Sequence, residues 1–228
     1  FGSKFGKYFG EISRNRYRIR SAIINLCKVK ISGPTGNYTT TSKEIEHKVS
    51  QSLQMQPCHG ATQVSPRDNH AELISALALY GTGLERIALE IRHLSRPEID
   101  EVSEGFSAEQ KGSSAMPHKK NPIDSENISG LARMLRSYVQ PAMENILLWH
   151  ERDMSHSSVE RIILPDAFIL AHYMTVKMTN ILTNLVIKPE NMQKNILLTK
   201  DQTSSALELM SLIKNQGLTR EEAYRHLQ

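Results

Sequence analysis

The sequence predicts an all-α fold of long, near-parallel helices, and three observations support this prediction. Apolar residues recur four and three positions apart along several stretches, which is the spacing of one helix face. The longest stripe covers about seven helical turns, and a 3.5-residue repeat of that length is typical of a helix bundle. Only Val64 lies in a segment that hints at a strand.

The predicted helices follow one another with polar loops between them. The first, over about 6–29, is the most polar and has one side suited to solvent. The second carries the longest stripe, made of Leu73, Leu77, Tyr80, Leu84, Ile87, Ile91 and Leu94. The third covers 128–142, where we expect Pro141 to kink it. The fourth is expected to begin at Pro165, since proline suits a first turn, and to end near Leu185. Shorter helices are predicted over 189–198, 202–215 and 219–228, the last two separated by Gly217.

Composition excludes several classes of protein. No apolar run approaches the ~20 residues of a membrane helix, and no signal peptide is recognisable. The two cysteines, Cys27 and Cys58, offer neither a disulfide framework nor metal-ligand spacing, so we expect a cytoplasmic protein without a metal site. The chain begins at Phe1 and stops at Gln228 inside a predicted helix, so we expect a fragment.

Charge narrows the choice of ligand. The net charge of +4 suits a polyanionic small molecule as well as it suits nucleic acid. The basic residues cluster in the first predicted helix without an aromatic stacking platform or a zinc-finger spacing. We therefore expect no nucleic-acid partner and interpret the cluster as a solvated helix face.

A polar segment over about 100–122 holds the most informative motif, Gly-Ser-Ser-Ala-Met-Pro-His-Lys-Lys-Asn-Pro at 112–122. Two hydroxyls and two ammonium groups suit a flap that closes over a dicarboxylate. A serine hydroxyl acts as a base only where cations stabilise its alkoxide in a dry site, and Lys119 and Lys120 supply such charges. Composition alone would favour an ordinary surface loop.

A second motif is Trp-His-Glu-Arg-Asp-Met-Ser-His-Ser-Ser-Val-Glu-Arg at 149–161. Arg152, Ser157 and Arg161 can converge on one anion, with guanidinium groups binding phosphate oxygens bidentately. The alternative is a charged helix end held by local ion pairs such as one made by Glu160.

A third segment, 61–70, places Thr62 and Gln63 in a loop just before the heptad helix, with Asp68 in its first turn. His70 fits a structural histidine at the helix start better than a catalyst. A shorter Gly-x-x-Gly turn, Gly33 to Gly36, permits close backbone approach.

Together these motifs resemble the fumarase/aspartase superfamily, in particular its adenylosuccinate lyases. Pro-His-Lys-Lys-Asn at 117–121 differs from the fumarase and aspartase pattern, and His118 differs from that of argininosuccinate lyases. The resemblance implies a central helix-bundle domain over 1–188, with its catalytic flap at about 100–122. It also implies the start of a C-terminal helical domain over 189–228 and the absence of the N-terminal domain.

The resemblance also implies roles for individual residues. The catalytic residues would be Ser113 as the base, Lys119, and Glu126, which orients a general-acid histidine; the choice of Ser113 over Ser114 rests on the family pattern alone. The substrate-binding residues would be Thr62, Gln63, Ser114, Lys120, Asn121, Asn127, Arg152, Ser157, Ser158 and Arg161, of which Arg152, Ser157 and Arg161 hold the phosphate. No cofactor is implied.

The activity implied is elimination of fumarate from adenylosuccinate, giving AMP, and from succinyl-aminoimidazole carboxamide ribotide. The partners implied are a small-molecule nucleotide substrate and three further copies, in a homotetramer whose sites are shared between subunits. The general-acid histidine of the family precedes this chain, so we expect the chain alone to hold an incomplete site. The alternatives are another C–N lyase, such as an argininosuccinate lyase, and a non-catalytic helical scaffold.

Overall fold

The computed structural model describes residues 2–105, 121–198 and 204–227. The described residues are mainly helical, with four strands of two residues each, which confirms the predicted all-α class. The helices are α1 (Gly2–Leu26), α2 (Lys43–Ser52), α3 (Asp68–Leu94), α4 (Ile123–Ser137), α5 (Val139–Glu144), α6 (Ser155–Thr183), α7 (Pro189–Leu197), α8 (Ser205–Gln216) and α9 (Arg220–Leu227). The strands are β1 (Lys28–Val29), β2 (Gln56–Pro57), β3 (Val102–Ser103) and β4 (Val186–Ile187).

The chain divides into two compact units. The bundle unit comprises Phe1–Glu90 and Pro122–Asn184, and the second unit comprises Ile91–Asn121 and Leu185–Gln228. The division of the sequence into domains over 1–188 and 189–228 stays a proposal.

Helices α1 and α3 of the bundle unit run antiparallel. Lys4 near the start of α1 pairs with Glu90 near the end of α3. Asn25 at the end of α1 donates to Glu72 in the first turns of α3, at 3.1 Å. Because contacts join opposite ends of the two helices, the long polar helix α1 lies along α3.

The remaining long helices extend this up-and-down arrangement. Contacts from both ends of α4 show that it is antiparallel to α6, whereas α3 and α6 run in the same direction. The contacts are Asp124 with Lys177, Tyr138 Oη with Asp166 Oδ2 at 2.9 Å, Arg67 with Glu160, and Tyr80 Oη with Thr175 Oγ1 at 2.7 Å.

Helix α3 supplies much of the core. Five of the seven predicted stripe residues are buried, namely Leu73, Leu77, Leu84, Ile87 and Ile91, while Tyr80 and Leu94 are half-buried. The helix also buries Ala71, Ile74, Ala76, Ala78 and Ala88, so its buried surface is wider than one heptad seam. The stripe prediction is confirmed, and burial on several sides explains why α3 is apolar over most of its length.

The predicted start of the fourth long helix is wrong. Helix α6 begins at Ser155, and Pro165 lies in its interior. The helix begins ten residues earlier than predicted, and the Asp153 carboxylate accepts a hydrogen bond from the N–H of Ser155, its first residue, at 2.8 Å. A proline in a helix costs one backbone hydrogen bond, and burial of Ile163, Ala167 and Met174 on the same helix offsets that cost.

The sequence predicts a kink at Pro141, whereas the structure has a break between two helices upstream of this proline. Helix α4 ends at Ser137, and α5 begins at Val139 after Tyr138. The ring of Pro141 cannot donate to the Ser137 carbonyl and crowds it, which interrupts the helix there.

Val64, the residue that gave the weak hint of a strand, lies outside the four strands, in keeping with the predicted all-α class. Strand β1 pairs with β2 in parallel, with Lys28 opposite Gln56 and Val29 opposite Pro57. This pairing brings the loop after β1 beside the loop after β2, and both loops matter for the site.

The second unit contains the antiparallel pair β3–β4 and the last three helices. Asn191 and Asn195 of α7 donate to the carbonyl oxygens of Asp100 and Ile99, at 2.7 and 2.8 Å. Helix α8 ends at Gly217 in the left-handed conformation, as the sequence indicates. No helix within the described ranges is long and apolar enough to cross a membrane.

Candidate functional site

The loop between β2 and α3 carries Thr62, which is exposed, and Gln63, which is half-buried. The Gly33–Gly36 turn lies against this loop. Gly36 has φ +77°, and a Cβ atom there would come within 2.2 Å of the Ala61 carbonyl oxygen. Only a glycine permits this approach, so the turn fixes the backbone directly before Thr62.

The phosphate-binding segment predicted over 149–161 forms a turn followed by the first two turns of α6. Arg152 and Arg161 are exposed, and Ser157 is half-buried. The Ser155 N–H bound to Asp153 holds the pKa of that carboxyl below its usual range. The Ser158 hydroxyl donates to the Ser155 carbonyl at 3.0 Å, so it is partly engaged within the helix. The exposed guanidinium groups at the start of a helix are available to an anion.

A cluster of charged and imidazole side chains joins these two parts of the site. Arg67, just before α3, lies with its Nε 2.8 Å from Glu160 Oε1 on α6. His70 and His156 lie beside this pair, and His156 is buried. The alternative interpretation of Glu160 as the partner of a near neighbour in sequence is therefore wrong. Sequence reasoning missed this pairing because nothing in the spacing connects the two positions.

His70 sits in the first turn of α3, in the position expected of a structural histidine. Burial lowers the pKa of its imidazole, and the charge of Arg67 lowers the pKa further while Glu160 raises it. Its ring is therefore neutral at pH 7 and contributes no charge to the cluster.

Glu126 and Asn127 lie apart from these residues. Both are exposed in the first turns of α4, and Asp124 of the same turn pairs with Lys177 near the end of α6. Arg161 precedes Lys177 by sixteen residues on α6, which corresponds to about 24 Å. The bundle unit therefore brings Gln63 and the phosphate segment to one end of α6 and places Glu126 towards the other.

The flap residues Ser113, Ser114, Lys119 and Lys120 lie outside the described residues. Asn121 is half-buried and directly precedes Pro122, at the start of α4. Within the described ranges, no group of three or more His, Cys, Asp or Glu side chains has the geometry to hold a metal ion.

Comparison with known proteins decides the family. The model of a family described as "Lyase" matches residues 1–136, more than half of the chain. The chain belongs to this lyase family. The resemblance stated from the motifs is confirmed by curated relatives. The chain is 51% identical over 224 residues to the adenylosuccinate lyase of Thermotoga maritima, and the match covers 98% of the chain and 52% of that protein.

A second relative is the adenylosuccinate lyase of Bacillus subtilis, which is 46% identical over 228 residues, and the match covers 100% of the chain and 53% of that protein. The chain spans about half the length of the curated relatives it matches.

Two solved structures resemble the chain in fold, and their low sequence identities limit the comparison to the fold. The fumarate lyase from Mesorhizobium sp. BNC1 superimposes with a TM-score of 0.84 at 22% identity, covering 100% of this protein and 50% of that chain. The 3-carboxy-cis,cis-muconate lactonizing enzyme from Pseudomonas putida gives 0.81 at 24% identity, covering 99% and 50%. Both likenesses confirm the predicted long-helix bundle.

Proposed function

We propose that the protein containing this chain is an adenylosuccinate lyase. The observation that carries the proposal is the 51% identity to an enzyme of that name over 98% of the chain. The reaction is a β-elimination that releases fumarate from adenylosuccinate to give AMP, and fumarate from succinyl-aminoimidazole carboxamide ribotide. The protein acts in the cytoplasm and needs no cofactor.

The chemistry requires a base, an acid and stabilisation of a developing carboxylate dianion. Ser113 removes the proton from the carbon beside a succinyl carboxylate, and Ser114 contacts the substrate next to it. Lys119 and Asn121 bind the carboxylates, whose negative charge grows in the transition state, and Lys120 is a further substrate-binding residue. Glu126 orients a general-acid histidine, and Asn127 adds a polar contact.

The nucleotide is held by the other parts of the site. Arg152 and Arg161 bind the phosphate with Ser157, and Ser158 lies beside them on α6. Thr62 and Gln63 contact the purine and succinyl part. The exposed positions of the two arginines at the start of α6 support this assignment, since a phosphate must reach them from solvent.

The proposed assembly is a homotetramer with sites shared between subunits. The separation of Glu126 from Arg161 along α6 supports sharing, because the two side chains of one chain lie too far apart to contact one small substrate. Exposed apolar side chains support further helix packing: Phe9, Tyr17 and Ile24 on α1, and Ile162 and Ile169 on α6. Light scattering of the full-length protein would give its mass, and a monomer would contradict the assembly.

The activity is tested by cleavage of adenylosuccinate by the full-length protein, followed by ultraviolet absorbance, with argininosuccinate and aspartate as control substrates. We expect cleavage of adenylosuccinate alone. The Ser113→Ala variant should lose turnover and retain substrate binding, whereas Arg161→Ala should mainly raise the KM for the nucleotide. Cleavage of a control substrate in place of adenylosuccinate would contradict the proposed function.

A further inference from the structure

Arg67 contacts two structural elements at once. Its Nη1 donates to the Ser65 carbonyl oxygen at 2.7 Å, within the loop that carries Thr62 and Gln63. Its Nε lies 2.8 Å from Glu160 Oε1 on α6. Both charged side chains are largely buried, with 13% of Arg67 and 14% of Glu160 exposed. One guanidinium therefore connects the Gln63 loop to the helix that carries the phosphate-binding residues.

Glu160 lies on α6 among the proposed phosphate-binding residues. Glu160 lies three residues after Ser157 and directly before Arg161. Residues three apart on a helix share a face, so Ser157 and Glu160 move together with the helix surface. Any displacement of Glu160 relative to Arg67 therefore changes the distance between the phosphate-binding residues and Gln63.

A buried ion pair is an inefficient way to gain stability. Removing two charges from water costs free energy that their mutual attraction only partly returns. The Nε–Oε1 contact is also a charge contact and not an aligned hydrogen bond, because neither atom has a hydrogen-bonding partner. Fixing the relative position of two elements is the best-attested use of such a pair.

Two histidines lie beside the Arg67–Glu160 pair. His70 and His156 each bury an Nδ1 atom without a hydrogen-bonding partner. Burial and the charge of Arg67 keep the pKa of His70 low, so this imidazole does not compete with Arg67 for Glu160 at neutral pH. The carboxylate of Glu160 thus faces Arg67 as its cationic partner.

We infer that Arg67 is a positioning residue: through Ser65 and Glu160 it fixes the Gln63 loop relative to Ser157 and Arg161. The inference rests on the proposed function, in which those residues bind the two ends of one nucleotide. Binding of the phosphate then orients the succinyl end for elimination, because remote binding energy is used for orientation at the reacting atoms.

The test uses two substrates of the full-length enzyme, adenylosuccinate and the same compound without its phosphate. The measured quantity is the phosphate advantage, the ratio of kcat/KM for the first substrate to that for the second. We expect Arg67→Gln and Glu160→Gln each to lower this ratio by about tenfold or more, mainly through kcat. A purely structural role would reduce both activities by the same factor, and an unchanged ratio would overturn the inference.

Glu160→Gln separates positioning from direct phosphate binding by Arg67. If Arg67 bound the phosphate itself, removal of a neighbouring carboxylate would strengthen that binding and raise the phosphate advantage. Positioning requires the advantage to fall. The double variant should be no worse than the worse single variant, because both changes break one connection. Multiplying effects would overturn the inference.

Arg136→Gln is the matched control, since Arg136 pairs with Glu85 between α4 and α3 of the same unit. It should leave the phosphate advantage unchanged. Arg67→Lys keeps the charge but loses the fork that reaches Ser65, so its ratio should fall less than that of Arg67→Gln. This variant also carries the test where Arg67→Gln does not fold. Wild-type enzyme that cleaves neither substrate would overturn the proposed function and this inference with it.

Discussion

At the scale of single residues, Gly36 controls the loop that carries Thr62 and Gln63. Its φ of +77° lies in the left-handed region, and the atom that a Cβ would strike is the backbone oxygen of Ala61. A clash with backbone cannot be relieved by rotating a side chain. Conformation at Gly36 is therefore transmitted to the loop before α3.

Gly36→Ala should destabilise the protein more than left-handed strain alone requires. Gly217 provides the comparison, because its φ is +68° and nothing lies within 4 Å of its Cβ position. We expect Gly217→Ala to lower the free energy of unfolding by about 1 kcal/mol and Gly36→Ala by about 2 kcal/mol or more. Chemical denaturation of the full-length protein measures both values. Equal losses would show that the contact with Ala61 does not matter.

His70 should make stability depend on pH. The pKa of His70 is lowered by burial, so between its folded value and the unfolded value of 6.5 the unfolded chain binds more protons. Stability should therefore fall as the pH drops through 6.5 and stop falling below the folded pKa. The groups that face the imidazole are Arg67, Glu160, His156 and the Pro66 carbonyl.

The measurement is the melting temperature of wild type and His70→Gln between about pH 5 and 8. The glutamine variant should lose less stability on acidification, since it has no imidazole to protonate. Identical pH dependence of the two proteins would assign the effect to another group.

Single residues differ in how well the sequence alone reveals them. Arg152, Ser157 and Arg161 belong to one contiguous segment, so their residue types and spacing indicated either a phosphate site or a charged helix end. The family resemblance favoured the phosphate site, which stays a prediction. Arg67 and Glu160 lie far apart in sequence, and each alone is an ordinary charged residue near a helix start. Only the parallel packing of α3 and α6 brings them within 2.8 Å.

At the scale of elements, α3 packs closely against its neighbours through glycines. A Cβ at Gly81 would lie 2.6 Å from Leu135 Cδ1 on α4, and one at Gly83 would lie 3.1 Å from Asn15 Nδ2 on α1. Because Leu135 is buried with 1% exposure, its side chain has little room to move. The glycines set the distance between α3 and both partner helices.

Gly81→Ala and Gly130→Ala should have opposite effects on stability. Nothing lies within 4 Å of the Cβ position of Gly130, so alanine there should stabilise α4 by about 0.5–1 kcal/mol through its helix propensity. Alanine at Gly81 gains the same propensity but overpacks against Leu135, and we expect a net loss of about 1–2 kcal/mol. Urea denaturation measures both changes, and a gain at Gly81 would contradict the close α3–α4 packing.

Periodicity predicted α3 well because most residues of its 3.5-residue apolar repeat are also residues that the helix buries. It failed at the start of α6, where the rule that proline opens a helix pointed to Pro165. The preference of proline for the first turn of a helix was outweighed there by tertiary burial. Ile163 lies upstream of the proline and is buried on the same helix. The break at Tyr138 shows the opposite case, in which the proline decides the outcome.

At the scale of the whole molecule, the proposed phosphate-binding residues and the proposed catalytic residue Glu126 lie towards opposite ends of α6. Two defective variants with lesions at different ends should therefore complement each other in a mixed assembly. When Glu126→Gln and Arg161→Ala subunits mix at random, about a quarter of sites would combine both intact residues in a closed symmetric oligomer. The measurement is adenylosuccinate cleavage at low substrate concentration by the co-expressed pair.

The matched control mixes Arg152→Ala with Arg161→Ala, whose lesions lie at the same end of α6. This pair should recover no activity, because every site receives at least one damaged phosphate-binding segment. Recovery by the control, or none by the first pair, would contradict sites shared between subunits.

The length of α6 between Arg161 and Lys177 limits where sequences of this family can gain or lose residues. A helix turns by about 100° and rises 1.5 Å with each residue. Deleting or inserting one residue between these positions would therefore rotate one end of the helix away from its neighbours, and in the proposed assembly with shared sites it would damage two active sites at once. We expect substitutions to accumulate on the exposed surface of this segment, whereas insertions and deletions are confined to the loops that flank it.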